Sequence, residues 1–276
     1  MSREIENLAK DLRKFLANAD EEDFILKAAP KPKRAAFVSV KATKEEVSTT
    51  QKTASTKTKN TPLTKEQELA ELAQKICNCK NCPLGLTRIK AVPGEGNINA
   101  RIMFIGEGPG FDEDRQGRPF VGRAGQLLDK IIAAMGFKRE EVFIANMVKC
   151  HPMIDPTNPD KHGNDRPPQM DEIARCRKFV EKQIVLVNPD YIVALGGVAT
   201  KSLINEHTPL SALRGKLFDL KLDHYTPEKN IKILATYHPA ALLRNPGWKK
   251  EAWQNLKVLL ADMGAKFPSS QAKKED

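Results

Sequence analysis

No apolar run in this chain of 276 residues approaches the roughly 18–20 residues that a membrane-spanning helix needs. The N-terminus lacks the charged, apolar and small-residue segments of a secretory signal. A soluble, cytoplasmic protein without a membrane partner is therefore expected, and a monomer. Cysteine is scarce. The five present are read as reduced thiols or metal ligands, since an intracellular setting argues against disulfides. There is no internal repeat. Acidic residues nearly vanish between positions 29 and 63, where eight basic residues face only Glu45 and Glu46. Such a stretch cannot bury enough apolar surface to offset chain entropy and is expected to be disordered.

Hydrophobic residues make up 40% of the chain, enough for a core, and the net charge of +10 suits a polyanionic partner. Residues 1–63 read as an extension. Ile5, Leu8, Leu12, Phe15 and Leu16 recur at helical spacing within 1–27, a helix that packs locally or docks a protein partner. The basic stretch behind it either holds DNA phosphates loosely or serves as a solvated linker. Residues 64–264 read as one domain, and 265–276 as a polar tail.

Thr64 stands three residues before Gln67, a capping-box spacing, and Leu69, Leu72, Ala73 and Ile76 form one helical face behind it. Four mostly continuous apolar runs follow, at 101–106, 142–148, 191–197 and 231–237, as expected of parallel strands covered on both sides. Helical patterns at 124–136, 169–187 and 197–205 separate them, and another at 248–263 closes the domain. This alternation predicts a three-layer α/β/α sandwich around a mainly parallel, four-stranded sheet. A functional site then belongs at the carboxyl ends of the strands.

Cys79 and Cys82 form a C-x2-C pair, and Cys150 and Cys176 complete a set of four thiols. Four thiolates suit tetrahedral zinc or an iron–sulfur cluster, and spacing alone does not choose between them. Cys77, two residues before Cys79, is awkwardly placed for joint ligation and is left out.

The segment GEGPGFDEDRQGRPFVGRAGQLLD, residues 106–129, joins the first strand to a helix. Its glycines suggest a phosphate loop, but no Lys-Ser or Lys-Thr follows, and the third glycine of a dinucleotide motif falls at Phe111. Glu107, Asp112, Glu113 and Asp114 would also repel a phosphate. A neutral or developing cationic group fits better. A sugar losing its base passes through an oxocarbenium-like state of that kind, which carboxylates stabilise while one of them orients water.

With NMVKCHP at 146–152, YHPAALLR at 237–244 and the four cysteines, this segment resembles the family 4 uracil-DNA glycosylases over about 200 residues, Thr64 to Gly264. The resemblance implies a [4Fe–4S] cluster on Cys79, Cys82, Cys150 and Cys176, and excision of uracil from DNA for base excision repair. By the same resemblance Glu107 or Glu113 positions water. Gly106 and Gly108 let the backbone approach the flipped nucleoside. Phe120 stacks on the base, Asn146 reads its edge, and His238 binds uracil O2. Leu242 wedges into the base stack, while Arg244, with Lys249 and Lys250, meets phosphates.

Two features depart from the family pattern: the N-terminal extension, and the 25 residues between Cys150 and Cys176, which run longer than usual and carry Asp165 where Asn is customary. A related branch has a histidine in an insertion hereabouts that traps the sugar covalently. His162 lies in this insertion, so a uracil-DNA binder that traps the sugar instead of turning over is the alternative.

Overall fold

The fold begins with a chemical cap. The Gln67 N–H donates to the Thr64 hydroxyl (3.3 Å) and the Thr64 N–H donates to the Gln67 side chain (2.8 Å), closing the predicted capping box. The computed structural model describes residues 63–204 and 207–265. The expected N-terminal helix, nearly all of the basic stretch and the tail from Lys266 lie outside the described residues.

The capping box starts α1 (Lys65–Cys77), followed by α2 (Leu84–Thr87), β1 (Glu95–Gly96), β2 (Ile102–Gly106), α3 (Phe111–Gln116) and α4 (Arg123–Ala134). The chain continues through β3 (Phe143–Asn146), α5 (Met170–Val187), β4 (Tyr191–Leu195), α6 (Gly197–Ile204) and α7 (Leu210–Leu213). It ends with β5 (Leu217–Asp219), β6 (Lys232–Thr236), α8 (Pro239–Arg244) and α9 (Lys249–Asp262).

Among the described residues the sheet has six strands in the order β1-β3-β2-β4-β6-β5, which corrects the expected four. The four strands read from the sequence are the inner ones and run parallel to one another. The additions are β1 and β5, short antiparallel edge strands of two and three residues. Neither is long enough to show a period of two.

Side chains alternate between two cores. Met103, Ile105, Ala145, Ile192 and Ala194 face the cluster built with α1, α5 and α6. Ile102, Phe104, Ile144, Val193 and Leu234 face the one built with α4 and α9. Helices thus cover both sides of the sheet, and β2 is buried along its whole length. Gly106 pairs with Asn146 in the parallel register, and the ladder runs on past the strand ends: the Met147 N–H donates to Gly106 O (2.9 Å) and the Val148 N–H to Glu107 O (3.2 Å).

Candidate active site

A cleft opens at the carboxyl ends of the inner strands, lined by Glu107, Gly108, Glu113, Phe120, Asn146, His162, His238 and Arg244. Asn146 ends β3 and is 2% exposed, yet its Oδ1 has no hydrogen-bond partner. A buried acceptor left unmade costs about 1–3 kcal/mol, so this atom marks where a donor is wanted. Gly106 makes the arrangement possible. A Cβ there would run into Asn146 Oδ1 and come within 2.5 Å of Phe120 Cζ.

Phe120 has φ +52°, the left-handed region that bulky residues seldom enter. Several contacts hold it there. The Arg139 guanidinium donates to Pro119 O (2.6 Å), and Gly125 leaves no room for a Cβ against the Phe120 carbonyl. Glu113 does the rest. Its Oε1 accepts from the N–H groups of Val121 (2.9 Å) and Gly122 (3.1 Å), and its Oε2 accepts from Gly110 (3.1 Å). Both oxygens are thus engaged by backbone. Glu107 makes no such bonds; burial raises its carboxyl above the usual range. Asp114 is fully buried and accepts from the backbone N–H groups of Ile89 (3.0 Å) and Lys90 (3.2 Å).

His238 sits one residue before α8 and caps it: its Nδ1 accepts the Ala240 N–H at 3.2 Å. An imidazole that accepts through Nδ1 carries its proton on Nε2. Burial, helped by the charge of Arg244, lowers its pKa to about 4, so the ring is a neutral N–H donor at physiological pH. It lies 5.5 Å from the Phe120 ring.

The structure corrects one residue of the sequence reading. Leu242 is 1% exposed and packs into the core beneath α8, so it cannot reach a base stack. The next residue, Leu243, is 37% exposed and presents the apolar side chain at this surface. Arg244 and Lys250 are exposed and Lys249 is partly so.

The insertion forms an ordered wall of the cleft. Buried Asn164 bonds to the backbone of Asp155 and Asn158, closing the loop on itself. His162 stacks on Phe111 with centroids 3.9 Å apart, while Arg115 lies over the Phe111 ring at 3.5 Å and pairs with Asp160 at 2.6 Å. Behind them His151, fully buried, contacts Asp165 at 2.6 Å and lies 3.6 Å from Asp114. Burial works against a charge on this ring, but the two carboxylates outweigh it and push its pKa up to about 9. The insertion is thereby pinned to the motif helix α3.

The four cysteines picked from spacing, Cys79, Cys82, Cys150 and Cys176, line a second, smaller cavity together with Ile76 and Phe179. Cys77 is exposed and does not line it. Arg88, Lys149 and Arg175 surround the cavity, and Arg88 Nη1 lies 2.8 Å from Cys150 Sγ. Burial pushes the Cys176 thiol up to about 12. Among the described residues no three His, Cys, Asp or Glu side chains are grouped closely enough to hold a single metal ion. Sequence reasoning passed over Lys149 and His151, although both lie in a run, 142–153, that is buried throughout.

An amide with a free oxygen, a neutral imidazole donor, an aromatic ring and a carboxylate at the end of a parallel sheet define a site for a flat, polar heterocycle. The chain belongs to the uracil DNA glycosylase superfamily, whose family model matches residues 93–257. It is 35% identical over 207 residues to the type-4 uracil-DNA glycosylase of Archaeoglobus fulgidus, covering 74% of this chain and 97% of the relative. Against the type-4 enzyme of Thermotoga maritima the identity is 40%, over 66% of this chain and 86% of that one. Against that of Sulfurisphaera tokodaii it is 40%, over 69% and 83%.

Proposed function

We propose that this protein hydrolyses the N-glycosidic bond of deoxyuridine in DNA, releasing uracil and leaving an abasic site. The observation that carries the reading is the unpartnered Asn146 Oδ1, buried beside Gly106 and Phe120. Uracil presents O4 and N3–H side by side, so one amide can serve both, and cytosine reverses the pattern. The base must leave the stack to reach this cleft, because a stacked base exposes neither C1′ nor its pairing edge. Phe120 then lies against the ring. His238 donates Nε2–H to uracil O2 and stabilises the anion that departs as the bond breaks, without first having to lose a proton of its own.

Glu107 is assigned the water and the positive charge growing on the sugar. The sequence left this role open between two glutamates. Glu113 has both oxygens engaged by backbone N–H groups, which makes it the clamp that shapes the loop. Leu243 takes the wedge role in place of Leu242, since apolar wedges must be exposed to enter DNA. Arg244 is assigned to phosphate.

The thiols of Cys79, Cys82, Cys150 and Cys176 suit an iron–sulfur cluster. Besides the thiols their cavity is lined by Ile76, Phe179, Gly85 and Asn81 and by three cations, which would offset the charge of four thiolates. Bound there, the cluster would join the segment after α1, the end of β3 and α5; a structural role follows. Covalent trapping through His162 draws no support, because that ring is stacked on Phe111 and the relatives are named as glycosylases.

The test is incubation of iron-loaded protein with a uracil-containing oligonucleotide, followed by alkali. Strand cleavage at the uracil is expected. Intact strands with full iron loading would overturn the reading, and an SDS-resistant protein–DNA band lost in His162→Ala would restore the trapping alternative.

A further inference from the structure

Lys149 is 1% exposed, and lysine is rarely buried so completely unless it is paired. Among the described residues no carboxylate pairs with it. The titratable groups that act on it are the thiols of Cys176 and Cys150. Its ammonium donates to two neutral acceptors, Asn146 O at 2.9 Å and Gln183 Oε1 at 2.6 Å. Gln183 is itself buried and donates to Pro93 O at 2.7 Å.

The bond to Asn146 repairs a gap in the sheet. Gly106 O takes the Met147 N–H in the parallel ladder, so Asn146 turns its own carbonyl away from β2. On that other side β1 pairs only with Phe143 and Ile144 and stops short of Asn146. The Lys149 ammonium supplies the donor that a longer edge strand would have supplied. Two acceptors and a nearby set of thiols call for a group that only donates. An ammonium has three N–H groups and no lone pair, and bonds to a charged donor are roughly twice as strong as neutral ones. Two N–H groups are used, and Lys149 also lines the cysteine cavity.

We propose that Lys149 is a positioning residue for base recognition: it fixes the main chain of Asn146 and thereby ties the uracil-reading amide to the cysteine cavity. The inference rests on the uracil-excision reading. It differs from plain core packing in what it leaves untouched. A residue that acts only through Asn146 matters when a base edge is bound and not when the base is missing.

The experiment uses the full-length, iron-loaded protein and its Lys149→Met variant, which keeps the length of the side chain and removes its donors. Uracil excision should drop about 30-fold in kcat/KM. Affinity for an oligonucleotide carrying an abasic site, which offers no base edge, should hold within about twofold. In an Asn146→Ala background Lys149→Met should change the rate by less than about twofold, since two residues acting as one unit are not additive. Iron content and visible absorbance report whether the variant keeps its cluster.

Three results overturn the proposal: a rate unchanged at full loading, a loss that adds in full to Asn146→Ala, or abasic-site affinity that falls in step with the rate. Should Lys149→Met fail to fold or to hold iron, Gln183→Leu decides. It should lower the same rate about threefold, and an unmoved rate there overturns the idea. A wild type that excises while the variants stay unmoved sinks this proposal alone, whereas a loaded wild type that excises nothing sinks the parent reading and this one with it.

Discussion

The two cavities flank one short segment, residues 146–152, and are opposites in their chemistry. The cleft at the strand ends is open, about 680 Å³, and holds polar groups short of partners: the Asn146 Oδ1 acceptor, the half-buried Glu107 and the His238 N–H. The cysteine cavity is small, about 10 Å³, with thiols among apolar side chains and three cations beside them. In the first, missing partners point to a ligand that brings its own donors and acceptors. In the second, three cations beside four thiols suit the negatively charged group proposed for it.

The contrast can be broken at its strongest point first. Glu107→Gln should lower single-turnover uracil release by about 10³-fold, within the usual range for loss of a catalytic carboxylate. The pH profile sharpens this. Glu107 must be ionised to act, so the rate falls as pH drops through its raised pKa, while His238, at about 4, stays neutral across most of that limb. The acid limb should therefore vanish in Glu107→Gln. Asn146→Ala should cost about 10²-fold in kcat/KM on uracil and relax the rejection of cytosine, measured with matched oligonucleotides. A smaller effect separates neighbouring leucines. Leu243→Ala should slow excision from duplex about tenfold and from single strands far less, with an unchanged melting temperature. Leu242→Ala should instead lower stability by about 2–5 kcal/mol, read by denaturant unfolding. His162→Ala should stay within about threefold of wild type on every substrate, and a larger loss would revive a direct role for the insertion.

Much of the fold and of the cleft is legible in the amino-acid sequence alone. The inner strands are continuous apolar runs, and burial on both faces is what makes them so. Within two residues, the helices from α4 onward that the sequence predicts end where the pattern ends, and the Thr64 box is a purely local signal. What stayed hidden was set by tertiary contact or by helical phase. Edge strands β1 and β5 are too short to show alternation. Helix α3, FDEDRQ, is nearly all polar and takes its shape from Glu113 reaching the backbone eight and nine residues on. Leu242 and Leu243 differ by one step of about 100° around a helix of only six residues, too short for a hydrophobic stripe to fix the phase. Lys149 carries no mark of its own, because a buried lysine and an exposed one are spelled alike.

The pairing of Gly106 with Asn146 has a practical meaning for anyone heating or diluting this protein. The carboxylate assigned to water and the amide assigned to the base stand at the end of one ladder, on adjoining strands in the middle of the sheet. Heat that unzips the sheet should separate them, so thermal inactivation and unfolding should share one midpoint.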